Sequence, residues 1–153
     1  ARLLKAGAIR SLCNSLLPLA SLITPNLHEA EILAERSLKS VEDMRAAART
    51  LHQRFGCAVL LKGGHLRGLR EAADIYYDGR QELLLCAPFI RGVSTHGTGC
   101  TYSAAIAAWL ARGQPLPQAV QRAKEFITGA IACANQTGRH GVLNCLWRSR
   151  LLD

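Results

Sequence analysis

The chain has 153 residues, of which 49% are hydrophobic and 20% are charged, so it has enough apolar material for one folded core and is not a disordered segment. Its net charge is +8, but the basic residues are scattered and aromatic residues make up only 5% of the chain, which argues against nucleic-acid binding. No apolar run reaches the length of about 18 residues that a membrane-spanning helix requires.

The first elements along the chain are a helix, a short strand and a second helix. Apolar residues at helical spacing predict a helix over Ala6–Leu17, and Pro18 is expected to stop it. Ala20–Ile23 is typical of a short buried strand, and Thr24-Pro25-Asn26 predicts a turn at its carboxyl end. Leu27–Ala34 is then expected to be a short helix.

A longer helix and a second buried strand follow. Ser40 has the character of a helix N-cap, the apolar spacing continues to about Phe55, and Gly56 closes the helix. Cys57–Leu61 is a continuous apolar run that ends in the glycine-rich segment Lys62–His65. This pattern predicts a buried parallel strand followed by a loop.

The rest of the chain contains hairpin and helix signals. We predict hairpin strands at Ala73–Tyr77 and Gln81–Cys86, on either side of Asp78-Gly79. An irregular segment, Pro88–Ser94, follows, and then come two helices at Thr101–Arg112 and Leu116–Asn135. Alternating helices and strands indicate a layered α/β fold, in which ligands bind beyond the carboxyl ends of the strands. The loops after Ile23, Leu61 and Ser94 are therefore expected at one binding edge.

Six cysteines are spread along the chain without a CxxC pair: Cys13, Cys57, Cys86, Cys100, Cys133 and Cys145. They could form three disulfides, but a domain of this size has a core and does not need them. We expect reduced, buried cysteines in a cytoplasmic protein. The five histidines show no helical i, i+4 pairing, so we expect no zinc site.

The segment His96–Cys100, which directly precedes a predicted helix, is the strongest candidate for chemistry. Glycines allow a close approach to a ligand, and the unpaired N–H groups of a helix start attract anions. A helix N-terminus also favours the thiolate form of a cysteine such as Cys100. The alternative is a glycine turn needed only for packing. The segment matches neither the Walker pattern nor the Rossmann pattern.

Residues 94–106, Ser-Thr-His-Gly-Thr-Gly-Cys-Thr-Tyr-Ser-Ala-Ala-Ile, resemble the signature of the hydroxymethylpyrimidine/phosphomethylpyrimidine kinases. These are ribokinase-like enzymes of thiamine biosynthesis. Further segments resemble the same family in the same order: residues 22–31, 59–65, 74–79, 123–127 and 143–147. From the first of these segments to the last, the resemblance extends over nearly all of the chain.

The resemblance implies a three-layer α/β/α sandwich of the ribokinase-like type. Residues 1–153 would form the C-terminal, nucleotide-binding part of a single kinase domain, without the N-terminal strands and the pyrimidine pocket. The implied reaction is ATP-dependent phosphorylation of hydroxymethylpyrimidine and then of its monophosphate, with Mg²⁺, by a homodimer when full length. For this part alone we expect exposed apolar sheet edges, poor solubility or oligomerisation, and little or no pyrimidine turnover.

The resemblance also implies roles for the glycine segment. Cys100 would take the proton of the substrate hydroxyl as it attacks the γ-phosphate, where most ribokinase-like enzymes use an aspartate. Gly97, Thr98 and Gly99 would form the anion hole for the transferring phosphoryl group. The alternative for Cys100 is a small residue packed at a helix start.

Five other residues receive roles from the same resemblance. Lys62 and Lys124 would contact the nucleotide phosphates, and Thr24 and Asn26 would belong to the nucleotide site. Glu29, with Asn26, would hold Mg²⁺ largely through water. The alternatives are solvated lysines on the surface and helix-capping roles for the residues that follow the first strand.

Two other functions stay open at this stage. The parent protein could be another ribokinase-like kinase, such as one for pyridoxal, because some of these also carry the cysteine. The chain could also be a nucleotide-binding fragment without catalytic activity.

Overall fold

The computed structural model describes residues 5–64, 66, 71–90, 97–137 and 140–148. The chain divides into two units, residues 1–86 and residues 87–153. The helices of the first unit are α1, α2 and α3, and they span Ala6–Ser11, Leu27–Ala34 and Val41–Phe55. The strands of its sheet are β1, β2, β3 and β4, and they span Leu22–Ile23, Ala58–Lys62, Glu71–Tyr77 and Glu82–Pro88.

The start of the chain is helical but less regular than predicted. After α1 the backbone widens into a π-helical turn over Leu12–Leu16 and then tightens into a 3₁₀ turn over Leu17–Leu19. The prediction that Pro18 stops the helical segment was wrong, because it lies in the first turn of the 3₁₀ helix, where its missing N–H is not needed. β1 is correspondingly shorter than the predicted strand.

The strands form a mixed sheet in the order β1-β2-β3-β4. β1 runs parallel to β2, with Leu22 opposite Ala58, and β2 runs antiparallel to β3, with Lys62 opposite Asp74. β1 and β2 end side by side, so two of the three predicted loops do meet at one edge. The third, after Ser94, falls in residues 91–96, outside the described residues.

Helix α3 covers one face of this sheet, and its boundaries are those predicted from the sequence. Ser40 and Asp43 form a capping box at its start, and Gly56 ends it in the left-handed conformation. The amide of Lys39 and the Ser40 hydroxyl hold the pKa of the Asp43 carboxyl below its usual value. Met44 and Leu51 on the inner side of α3 are completely buried, and truncating such side chains to alanine costs about 2–5 kcal/mol.

Both faces of the central strands are buried. Val59, Leu61 and Ile75 belong to the core on the α3 side. Leu60 and Tyr76, which alternate with them and therefore point to the other face, are also fully buried. Burial on both faces explains why the β2 sequence is a continuous apolar run rather than an alternating one.

The β3–β4 hairpin was predicted correctly, but its connection is a four-residue loop that Asp78 organises. The Asp78 carboxylate accepts hydrogen bonds from the amides of Arg80 and Gln81, each at 2.9 Å. It also accepts one from the Tyr76 hydroxyl at 3.0 Å. Burial acts to raise the pKa of Asp78, but these hydrogen bonds outweigh it, so the pKa lies below its ordinary value.

The second unit contains two long helices and a small hairpin. Helix α4 spans Thr98–Ala111 and packs against α5, Leu116–Ala132, and strands β5 and β6 span Asn135–Thr137 and His140–Val142. The prediction that the last helix continues to Asn135 was wrong, because the chain turns into β5 there. Past this hairpin, Trp147 donates its indole N–H to the carbonyl of Phe126 at 3.1 Å and so holds the following turn against α5.

The six cysteines are all free, but the prediction that they are buried holds only for Cys13 and Cys57. The other four are exposed because they lie on the edge strand β4, at helix ends or in a turn: Cys86, Cys100, Cys133 and Cys145. Among the described residues, none of the helices combines the length and the apolar character needed to cross a bilayer.

Candidate functional site

Four of the predicted site residues lie in the first unit, close to the carboxyl ends of β1 and β2. Thr24 and Asn26 follow β1, Glu29 is in the first turn of α2, and Lys62 is the last residue of β2. The Lys62 amide donates to the carbonyl of Pro25 at 2.9 Å, and Asn26 forms a parallel bridge with Lys62. The backbone therefore holds the two predicted nucleotide segments directly beside each other.

Asn26 and Glu29 form a reciprocal cap at the start of α2. Asn26 Oδ1 accepts the Glu29 amide at 2.9 Å, and Glu29 Oε2 accepts the Asn26 amide at 2.8 Å. The helix-capping alternative is thus realised in the structure. The Glu29 side chain stays exposed, and its Oε1 makes no hydrogen bond to the described residues, which leaves one hard oxygen of the kind that Mg²⁺ binds through water.

A cavity of about 820 Å³ opens beside the edge strand β1. Thr24, Asn26 and Glu29 line part of it, and most of the remaining lining is apolar. Leu16 and Leu19, which also line the cavity, are 59% and 80% exposed, but they lie in the helical turns before β1 and so do not test the expected exposed sheet edge.

The structure adds a residue to which the sequence analysis gave no role. The Gly63 amide donates to Asp74 Oδ1 at 3.0 Å and to the Ala73 carbonyl at 3.1 Å. Asp74 is the one charged side chain that is buried among the described residues, and it is only 4% exposed. An acidic residue in the middle of the predicted strand Ala73–Tyr77, whose other residues are apolar or aromatic, was the signal that could have identified it.

The predicted anion hole is the first turn of α4. Gly97 is the N-cap, with φ +81°, a left-handed conformation that favours glycine. Thr98, Gly99 and Cys100 are the first three residues of the helix, whose N–H groups have no partner within a helix. The helix therefore begins three residues earlier than predicted, and the segment expected to lie in front of it is part of it.

Two side chains of this turn could take part in binding or chemistry. Cys100 is exposed. Thr98 Oγ1 is buried and has no hydrogen-bond partner among the described residues, so a bound oxygen atom would satisfy it. Lys124 lies on α5, as predicted, and its side chain is half-buried.

Comparison with known proteins identifies the family. The family model described as phosphomethylpyrimidine kinase matches residues 1–144. The chain belongs to this family.

Relatives of the chain carry matching names. A thiamine biosynthesis bifunctional protein of Geobacter sulfurreducens is 47% identical over 94% of this chain and 29% of its own length. A hydroxymethylpyrimidine/phosphomethylpyrimidine kinase of Rhizobium meliloti is 44% identical over 88% of this chain and 50% of its own length. The chain thus spans about half or less of these relatives.

Solved structures show that the fold is ribokinase-like. An ADP complex of Bacillus subtilis pyridoxal kinase matches with a TM-score of 0.89 and 36% identity, covering 97% of this chain and 58% of that one. Staphylococcus aureus pyridoxal kinase with AMP-PCP matches with a TM-score of 0.87 and 33% identity, covering 95% of this chain and 54% of that one.

Proposed function

We propose that the chain supplies the nucleotide-binding and phosphoryl-transfer part of a hydroxymethylpyrimidine/phosphomethylpyrimidine kinase. The proposed reaction transfers the γ-phosphoryl group of ATP to hydroxymethylpyrimidine and then to its monophosphate. The observation that carries the proposal is the start of α4, where the N-cap Gly97 is followed by three residues whose amides have no partner within the helix, the third being an exposed cysteine, in a chain of this family. The nucleotide complexes of the similar pyridoxal kinases support ATP as the donor.

The start of α4 fits the chemistry of phosphoryl transfer. The amides of Thr98, Gly99 and Cys100, together with the positive end of the helix dipole, would stabilise the charge on the transferring group. The substrate oxygen forms a bond to phosphorus while the bond from phosphorus to the β-phosphate oxygen breaks. The proton of the substrate hydroxyl passes to the Cys100 sulfur, and ADP leaves.

The remaining site residues would bind the nucleotide. Lys62 and Lys124 would place positive charge on its phosphates, and Thr24 and Asn26 would line the site beside them. Glu29 would hold Mg²⁺ through water by the carboxylate oxygen that the α2 cap does not use. When bound, Mg²⁺ neutralises part of the phosphate charge.

One observation favours a second function. The similar solved structures include pyridoxal kinases at 33–36% identity, so a pyridoxal-type alcohol is the alternative substrate. The family match and the higher identity of 44% to a pyrimidine kinase support the pyrimidine instead. A chain that binds nucleotide without catalysis is the third reading.

The proposal extends to assembly and location. We expect a homodimer for the full-length protein, acting in the cytoplasm on small molecules only. Six free cysteines agree with a reducing compartment.

The direct test is calorimetric titration of the chain with ATP and Mg²⁺, followed by an assay of ADP release with hydroxymethylpyrimidine. We expect binding by the chain alone, and turnover after fusion to the half of the Rhizobium relative that the chain does not match. A folded chain that binds no ATP would contradict the proposal. Binding without turnover in the fusion would favour the catalytically silent alternative.

Two variants that each remove a helix N-cap separate the capping role of Asn26 from its proposed role in nucleotide binding. Asn26→Ala and Ser40→Ala each remove an N-cap and should each lower the free energy of unfolding by about 1 kcal/mol, as urea titration would show. Only Asn26→Ala should also weaken ATP binding, because Ser40 caps α3 rather than the segment beside Lys62. Equal ATP affinities in the two variants would leave Asn26 with a capping role alone.

A further inference from the structure

Hydrogen bonds hold the chain at the end of β2 on both sides, from the loop after β1 and from β3. On one side the Lys62 amide is bound to the Pro25 carbonyl at 2.9 Å. On the other side the Gly63 amide is shared between the Ala73 carbonyl and the Asp74 carboxylate. The Gly63 carbonyl then accepts the Leu66 amide at 2.8 Å, so the backbone on both sides of Gly63 is fixed.

A buried carboxylate such as that of Asp74 is energetically unfavourable at this position. Burying a carboxylate destabilises the folded state unless hydrogen bonds or charges compensate for the lost water. The Ala73 carbonyl already accepts the Gly63 amide, so an apolar side chain at position 74 would leave the strand pairing intact. The register places Asp74 opposite Lys62, and residues directly opposite in an antiparallel pair project from the same face of the sheet.

We propose that Asp74 is a positioning residue that directs Lys62 toward the nucleotide phosphates by fixing the Gly63 amide. The proposal rests on the proposed function, in which Lys62 binds those phosphates. A second acceptor on the Gly63 amide restricts the peptide plane that follows Lys62 and hence the direction in which the lysine leaves the sheet. Positioning of this kind lowers the entropy lost when the phosphates bind.

The test compares three variants of the same chain. Asp74→Ala should weaken ATP binding about tenfold, the size expected for the loss of one hydrogen bond to a buried acceptor group. Asp74→Asn keeps an oxygen acceptor for the Gly63 amide and should restore the affinity to within about twofold of the original. Asp78→Ala is the matched control, because Asp78 also accepts backbone amides in a turn of this sheet, but next to β4. It should lower stability and leave ATP affinity unchanged.

A second readout does not depend on the nucleotide. Hydrogen exchange of the Gly63 amide, followed by NMR, should become faster in Asp74→Ala and stay slow in Asp74→Asn. If the original chain binds no ATP, the proposed function fails while the exchange pattern still tests whether Asp74 fixes the turn. Equal ATP affinities of the alanine and asparagine variants, or unchanged Gly63 exchange in the alanine variant, would overturn the proposal.

Discussion

Replacing Cys100 with alanine is expected to lower kcat for phosphoryl transfer by about 10²–10⁴-fold, the usual contribution of a general base. The thiol is exposed in the first turn of α4, beside the three amides that would hold the transferring phosphoryl group. Alanine keeps the helix start but removes the proton acceptor. ATP affinity should stay nearly constant, because the amides remain. ADP release by the active fusion described above measures both quantities.

Two further variants sharpen this prediction. Cys133→Ala removes another exposed thiol, at the end of α5, and should leave turnover unchanged. Cys100→Ser retains a side chain of similar size but replaces the thiol with a far weaker acid, so it should be almost as slow as Cys100→Ala. Full turnover in Cys100→Ala would show that another group accepts the proton.

Gly63→Ala is expected to lower the free energy of unfolding by about 3 kcal/mol, the upper part of the range for overpacking a core. A Cβ atom at this position would overlap the Ala73 carbonyl oxygen and would lie 2.8 Å from the Met44 sulfur. Met44 is completely buried and the carbonyl belongs to β3, so neither can move away cheaply. Urea denaturation followed by circular dichroism gives the difference.

The neighbouring glycine offers a matched control. A Cβ at Gly64 would meet no atom within 4 Å, so Gly64→Ala should change stability by less than about 1 kcal/mol. If the two variants lost the same stability, the glycine pair would matter through backbone freedom rather than through the close approach of β3.

Local signals accounted for the elements that were predicted well. The boundaries of α3 follow from Ser40, Asp43 and Gly56, which act on residues within four positions of themselves. Asp78-Gly79 marked the hairpin for the same reason. The parallel alignment of β1 and β2 agrees with the parallel strand predicted from the continuous apolar run Cys57–Leu61.

Elements that depend on distant contacts were predicted poorly. β1 has two residues because only Leu22 and Ile23 form a continuous ladder with β2, and the Asn26–Lys62 bridge stands apart from it. The β5–β6 hairpin consists of three-residue strands, which are too short to show an alternating pattern. The exposure of four cysteines likewise depends on where their elements lie rather than on residue type.

For this protein, the sequence by itself determined the fold class, the family resemblance and the segments that carry the candidate chemistry, because caps, turns and motifs are local or contiguous. The tertiary structure alone decided that Asn26 lies beside Lys62, that Asp74 holds the Gly63 amide, and that Gly63 has no space for a side chain. Each of these facts depends on a contact between different segments of the chain, and it is the pairing of strands in the folded sheet that brings those segments together.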